Sequence, residues 1–411
     1  MFSRTQGAPV PKLDCSLSSR KFAVTRHEQY RFLLEDAPLC RGRISVLGFH
    51  LVARHADCLA LLADPRFLRN RSKARGGGSR LPIPMPRNVA YLAQSMIVED
   101  DPEHQRLRRL VHKAFTPNAT RRLEGRVAEV TDETLERLQG ESEVDLTTAF
   151  SLPIPTTMIQ EMMGIDPGEM PQFRDSLRAL TTGITGWSMI RTMLVDLPRS
   201  ARWVREVIEH KRKNPGDDIL TALIEAEEDG DRLAENELIS LVFLLIIAGF
   251  ETTVHLLSNS VMTLTQHRAA FEQLRDDDSI TESAIEELLR YSGPIHGTKP
   301  VFAAEDVEIR GHVLPRGSMV LPVLGAANFD PEVFDDPWTL DLERNPNRHL
   351  AFSHGGHFCL GASLARMEAR VALPRLLKAF PNLDLAVPPE ELEPSPMPLW
   401  NRYLEMPVRL R

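Results

Sequence analysis

Cys359 lies in the stretch Phe352-Ser353-His354-Gly355-Gly356-His357-Phe358-Cys359-Leu360-Gly361, directly before a helical run carrying Leu364, Arg366, Met367 and Leu373. Glycines at 355 and 361 permit positive φ and let the backbone approach a flat ligand closely. A helix N-terminus and free backbone N–H groups beside the sulfur would depress the thiol pKa. A thiolate so held suits axial ligation of haem iron, where its electron density favours O–O cleavage. The plainer alternative is a buried structural cysteine, which explains neither the glycines nor His357.

Three other clusters have chemical potential. In Ala248-Gly249-Phe250-Glu251-Thr252-Thr253 an acid and a hydroxyl interrupt an apolar run. A buried carboxylate needs partners or a shifted pKa, and a mid-helix glycine costs roughly 1 kcal/mol against alanine. Taken alone, the segment reads as a glycine kink with Thr252 bonded back to the carbonyl four residues earlier. Glu287 and Arg290 are three residues apart on one helix face. Glu209 and Arg212 share that spacing and read as a solvated pair worth roughly a few tenths of a kcal/mol. His104 and Arg108 share a helix face at i and i+4, among the further basic residues Arg106, Arg109, His112 and Lys113.

The pattern Phe-x-x-Gly-x-x-x-Cys-x-Gly, filled by Phe352, Gly355, Cys359 and Gly361, resembles the haem-binding signature of the cytochrome P-450 family, soluble bacterial type. Ser353 stands where a second glycine is commoner, and Gly356 where a bulkier residue often sits. Ala248 to Thr253 is similar to the family's oxygen-activation motif at every position. The resemblance implies a mainly α fold with small β-sheets, the triangular, helix-rich P-450 fold, and heme b (iron protoporphyrin IX) as cofactor, with Cys359 as the iron ligand. It implies that Glu251 relays protons, that Thr252 holds the hydrogen-bond network and that Gly249 leaves room for dioxygen. Glu287 and Arg290 would match the family's buried Glu-x-x-Arg pair, with Arg344 as the third member. His104, Arg108 and His357 would contact the haem propionates. The arginine usual in the strand before Glu305-Asp306 is missing, its place taken by Val301, and Lys299 is the candidate substitute.

The implied activity is a haem-thiolate monooxygenase that hydroxylates or epoxidises a hydrophobic small molecule, with a polyketide or macrolide ranked ahead of a terpenoid or steroid. It would use O2 and electrons from a ferredoxin and ferredoxin reductase, the ferredoxin docking near Arg366, Arg370 and His354. A peroxygenase driven by hydrogen peroxide fits less well, because such members usually lose the pair kept here at Glu251 and Thr252. A non-catalytic recruitment domain would tend to lose the thiolate or the oxygen motif.

The positioning elements are legible in outline. The chain has 411 residues, 42% hydrophobic and 26% charged, enough for a large core. No linker or charge block divides it, so a single domain over residues 1–411 is expected, and a monomer. The net charge of −8 is interleaved, which argues against nucleic acid as partner. Four cysteines without paired spacing suit a reducing cytoplasm. No N-terminal hydrophobic anchor is expected, since the first residues run polar, and the apolar stretch from Leu238 to Phe250 is shorter than a membrane span and reads as part of a core helix. Periodicity predicts helices at Glu103 to Ala114, Leu123 to Leu138, Ala201 to Lys213, Leu238 to Leu264 and Ser283 to Tyr291. Strand-like pieces fall at 307–309, 318–321 and 406–410. Pocket walls are expected from 70–94, 181–193, 294–297 and 397–400, with Met85, Leu92, Ile184, Trp187, Ile295 and Leu399.

Overall fold

The computed structural model describes residues 9–76, 95–114, 117–166, 168, 191–228, 231–395 and 397–411. Eight helices frame the site: α1 (Arg26–Glu35), α2 (Glu103–Ala114), α3 (Pro117–Leu138), α4 (Pro153–Met163), α5 (Leu197–Lys213), α6 (Glu235–Gln266), α7 (Thr281–Ser292) and α8 (Ala362–Ala379). All five helices expected from periodicity form, four of them longer than the apolar pattern alone marks. Caps explain part of the extension: the Glu237 carboxylate accepts the Ala234 N–H ahead of α6 at 2.8 Å.

α6 runs unbroken for 32 residues, through Gly249. By length and composition it could cross a membrane, but 67% of its most apolar stretch is buried inside the protein. It is the central core helix. Leu238, Val242, Ile246 and Phe250 enter one hydrophobic cluster with α4 and α5, whereas Leu257, Val261 and Leu264 enter another with α3, α7 and α8. Each such side chain contributes about 1.5–3 kcal/mol when fully buried.

The largest sheet has five strands: β1 (Leu39–Ile44), β2 (Leu47–Val52), β3 (Phe67–Leu68), β4 (Val301–Ala303) and β5 (Met319–Pro322), in the order β1-β2-β5-β4-β3. The β1–β2 hairpin has no alternating signature, since Arg41, Gly42 and Arg43 fill the middle of β1. Gly42 makes room for its neighbour across the hairpin: a Cβ there would stand 2.6 Å from Leu51 Cδ1, so any other residue would require the Leu51 side chain to shift. The expected strand pieces near 307–309, 318–321 and 406–410 all pair, the last between Glu143–Asp145 and Asp384–Leu385.

Candidate functional site

The cysteine loop leaves β-like backbone at His354, makes one tight turn over Gly355–His357 and enters α8 with Gly361 as N-cap. Gly355 takes φ +71°, as expected, but Gly361 sits at φ −88°, an ordinary value, because a cap needs no left-handed residue. Ser353 does adopt φ +64° and its buried Oγ has no partner. The residue that stands in for a glycine therefore carries strain of order 1–3 kcal/mol. The Cys359 N–H donates to the Phe352 carbonyl at 3.0 Å, tying the two ends of the loop.

The Cys359 side chain is accessible, whereas the other three cysteines are buried, and none of the four is bonded to another. Enough protein surrounds it that burial pushes its thiol up, against the pull of the Gly361 N–H, Arg108 and Arg366. The expected depression by the helix terminus is thus present but outweighed. No group of three His, Cys, Asp or Glu side chains among the described residues could hold a bare metal ion. A single sulfur needs the other ligands to arrive with the metal, as a macrocycle provides them.

Beside this loop, cationic and imidazole groups converge. The His104 and His357 rings stand 4.0 Å apart, tilted by 36°. Arg108 Nη2 donates to the Phe358 carbonyl at 2.8 Å. Arg69, which the sequence reading missed, is buried, and its Nη1 donates to the Lys299 carbonyl at 3.1 Å. Neither Arg69 nor Lys299 has a carboxylate in ion-pair range among the described residues. Asp100, the nearest acid to Arg69, spends both oxygens on the Arg69 and Asn70 N–H groups at 2.6 and 2.9 Å. Crowded cations lose proton affinity: burial lowers Arg69 to about 10, and burial with Arg69 nearby lowers Lys299. Burial, then Arg69, His104 and Arg108, takes His357 to about 3. His104 Nε2 is buried without a partner. An excess of positive donors with an orphaned nitrogen fits a dianionic ligand such as the two propionates of haem. Val301, where the family arginine is missing, is a buried β4 residue and takes no part.

On α6, Thr252 Oγ1 donates to the Ala248 carbonyl at 3.0 Å, the back-bond expected from sequence alone. Glu251 is buried, and Arg402 Nη1 donates to its Oε1 at 2.5 Å. Burial raises the Glu251 pKa and Arg402 opposes the rise. A Cβ at Gly249 would stand 2.7 Å from Ile159 Cδ1 of α4, so the missing side chain lets the tip of Ile159 come close to α6 there. Glu368 on α8 was not singled out from sequence. Both its oxygens are buried and unpartnered, and burial pushes the carboxyl up to about 8 against the pull of the Thr253 hydroxyl.

Behind the loop, Arg290 grips Glu287 with two bonds of 2.7 Å and donates to the Asn328 and Pro337 carbonyls. Arg344 Nε reaches the same carboxylate at 3.2 Å, as the resemblance implied. Arg366 Nε and Nη2 clasp Glu286 at 2.6 and 2.8 Å, and its guanidinium lies 4.4 Å over the Phe352 ring. Its charge is engaged inside the protein, which weakens it as a docking group. Arg370 is 3.5 Å from Glu282 and His354 is exposed. Met85, Leu92, Ile184 and Trp187 lie outside the described residues, as do 77–94 and 181–190 of the expected pocket segments. Ile295 and Trp400 form a β-bridge, which brings the other two segments together.

Residues 199–403 match the family described as "Cytochrome P450". "Cytochrome P450 107B1" of Saccharopolyspora erythraea is 40% identical over 392 residues, 94% of this chain and 96% of that one. The chain belongs to the cytochrome P-450 family. The structure of the P-450 PksS of the Bacillus subtilis bacillaene polyketide synthase superposes with a TM-score of 0.89 at 33% identity, covering 96% of this chain and 99% of that one. The tirandamycin C-bound P-450 monooxygenase TamI gives 0.85 at 35% identity, covering 98% and 100%. The fold is the P-450 fold, and the protein is a P-450 monooxygenase of a family built on a haem-thiolate cofactor.

Proposed function

We propose that this P-450 inserts one oxygen atom of dioxygen into a hydrophobic small molecule of polyketide type, by hydroxylation or epoxidation, with electrons from a ferredoxin and its reductase. The observation that carries the site assignment is the accessible Cys359 sulfur set beside five nitrogen-bearing side chains, Arg69, His104, Arg108, Lys299 and His357, that hold no carboxylate among the described residues beyond the 3.5 Å contact of His104 with Asp101. The polyketide reading draws on relatives named for polyketide biosynthesis and for tirandamycin C.

Cys359 would hold the iron and the five side chains would hold the propionates of heme b. When bound, the haem supplies the redox chemistry that activates dioxygen. Phe352, tethered to the Cys359 N–H and covered by Arg366, keeps the sulfur in place. The Thr252 hydroxyl proton is engaged on Ala248, which leaves its oxygen lone pairs to accept from water and so orient that water's protons. Glu251, buried and balanced between desolvation and Arg402, is suited to take a proton from solvent and pass it on.

The reduced protein exposed to carbon monoxide tests the assignment. A strongly red-shifted Soret band in the wild type, absent from Cys359→Ser, is expected. The same band in both proteins would overturn the ligand assignment. Turnover of a macrolactone panel with ferredoxin and reductase, against hydrogen peroxide alone, then tests the substrate class and the electron source.

A further inference from the structure

Glu251 and Arg402 are 151 residues apart in sequence, yet their side chains meet in the core. What places Arg402 there is its neighbour. The Asn401 carbonyl accepts from Asn259 Nδ2 at 2.7 Å, and Asn259 lies on α6, two turns beyond Glu251 on the same face. The Asn401 N–H donates to the Pro294 carbonyl at 2.8 Å, and its side-chain amide donates to Ser292 at 3.0 Å and accepts from Arg26. Asn401 is thus pinned to the helix that carries the acid, and the guanidinium of the next residue meets Glu251.

A buried arginine costs several kcal/mol unless compensated, and a hydrophobic core has no need of one at this point. The other titratable group facing the pair among the described residues is His255, one turn further along α6, which burial and then Arg402 lower to about 3 and so keep neutral. Burial pushes Glu251 toward its neutral form, and Arg402 is the described cation that opposes it.

We propose that Arg402 is a positioning residue of the proton relay: pinned to α6 through Asn401, it fixes the Glu251 side chain and keeps it a carboxylate until a proton arrives from solvent. The proposal rests on the reading of Glu251 as a relay, and the test separates the two. Infrared difference spectra with labelled glutamate follow the protonated Glu251 carboxyl band against pH in the haem-loaded protein, assigned by its loss on adding Glu251→Gln. In parallel, product formed per reductant consumed is measured against pH. In Arg402→Met both midpoints move to higher pH by about one unit or more, a tenfold change in acid dissociation. Arg402→Lys returns at least half of that shift. Arg402→Gln, which keeps a neutral hydrogen bond, is measured alongside and behaves as Met does. If the substitutions lower only thermal stability and both midpoints stay at the wild-type value, Arg402 is a plain core ion pair and the proposal fails. If the infrared midpoint moves while the coupling profile does not, Glu251 is no relay and the proposal falls with its premise.

Discussion

The Arg366 guanidinium holds both oxygens of Glu286, at 2.6 and 2.8 Å, while lying over the Phe352 ring that opens the cysteine loop. One side chain thereby links α7, the loop and α8. Burial alone would raise the Glu286 carboxyl, but bonds from Arg366 and His349 outweigh it and hold the group down at about 2. A depressed acid stabilises the fold above its unfolded pKa near 4.5, and that contribution is lost as pH falls through about 2. Arg366→Ala is expected to cost about 1–2 kcal/mol at pH 7, reduced from a fully buried pair because both partners are partly exposed. Urea unfolding of the two proteins should converge between pH 4.5 and 2. A gap that does not depend on pH would assign the loss to packing on Phe352 instead.

Glu287 and Arg290 are buried completely, with Arg344 and Asn347 completing the shell around the carboxylate. Removing the acid leaves the Arg290 charge uncompensated in the core. Glu287→Ala should destabilise by about 3–5 kcal/mol or prevent folded protein from accumulating. Guanidinium unfolding monitored by intrinsic fluorescence decides it, and a loss below about 1 kcal/mol would refute the structural role.

How far the sequence reached depended on how local each feature is. The cysteine loop and the α7 pair are held together by spacings of ten residues or fewer, so residue types alone marked them, and the family resemblance added Arg344. Arg69 meets the Lys299 backbone across 230 residues and Arg402 meets Glu251 across 151, and no local pattern encodes such meetings. Glycines were legible only in part: composition shows where a Cβ is missing but not which backbone conformation the residue takes, so Gly355 adopts positive φ while Gly361 keeps an ordinary one. The β1–β2 hairpin was illegible because Arg41 and Arg43 interrupt its apolar pattern.

Arg69 has opposite effects with and without an anionic ligand. Without one it is a buried cation lacking an ion-pair partner among the described residues, so Arg69→Met should make the haem-free protein more stable. With haem bound, loss of a charge-assisted contact worth about 1.5–3 kcal/mol should speed haem transfer to a scavenging apoglobin tenfold or more. Arg69→Lys should recover part of the retention. If transfer rates are unchanged in Arg69→Met, the residue does not hold a propionate.

Glu368 should give the fold an alkaline weakness. Its folded pKa of about 8 lies above the ordinary glutamate value of 4.5, so its contribution is fully present below pH 4.5 and is lost as pH rises through 8. Within that window wild-type stability should fall by about 1.4 kcal/mol per pH unit relative to Glu368→Gln. Denaturant unfolding between pH 5 and 9 measures the difference, and parallel curves would show that the carboxyl has found a partner or water that keeps it ionised.

Thr252 separates binding from proton delivery. Its methyl group and backbone fit α6 as alanine would, and its hydroxyl makes one bond, to a carbonyl already engaged in the helix. Thr252→Ala should therefore leave stability within about 0.5 kcal/mol and leave haem content and substrate affinity unchanged. The loss falls on the acceptor that would orient water, so reductant should be consumed at a similar rate while a larger share of it ends as hydrogen peroxide. Product and peroxide measured per reductant oxidised give the answer directly. Coupling equal to that of the wild type would mean that another acceptor orients the water, and the Thr253 hydroxyl beside Glu368 would be the next group to remove.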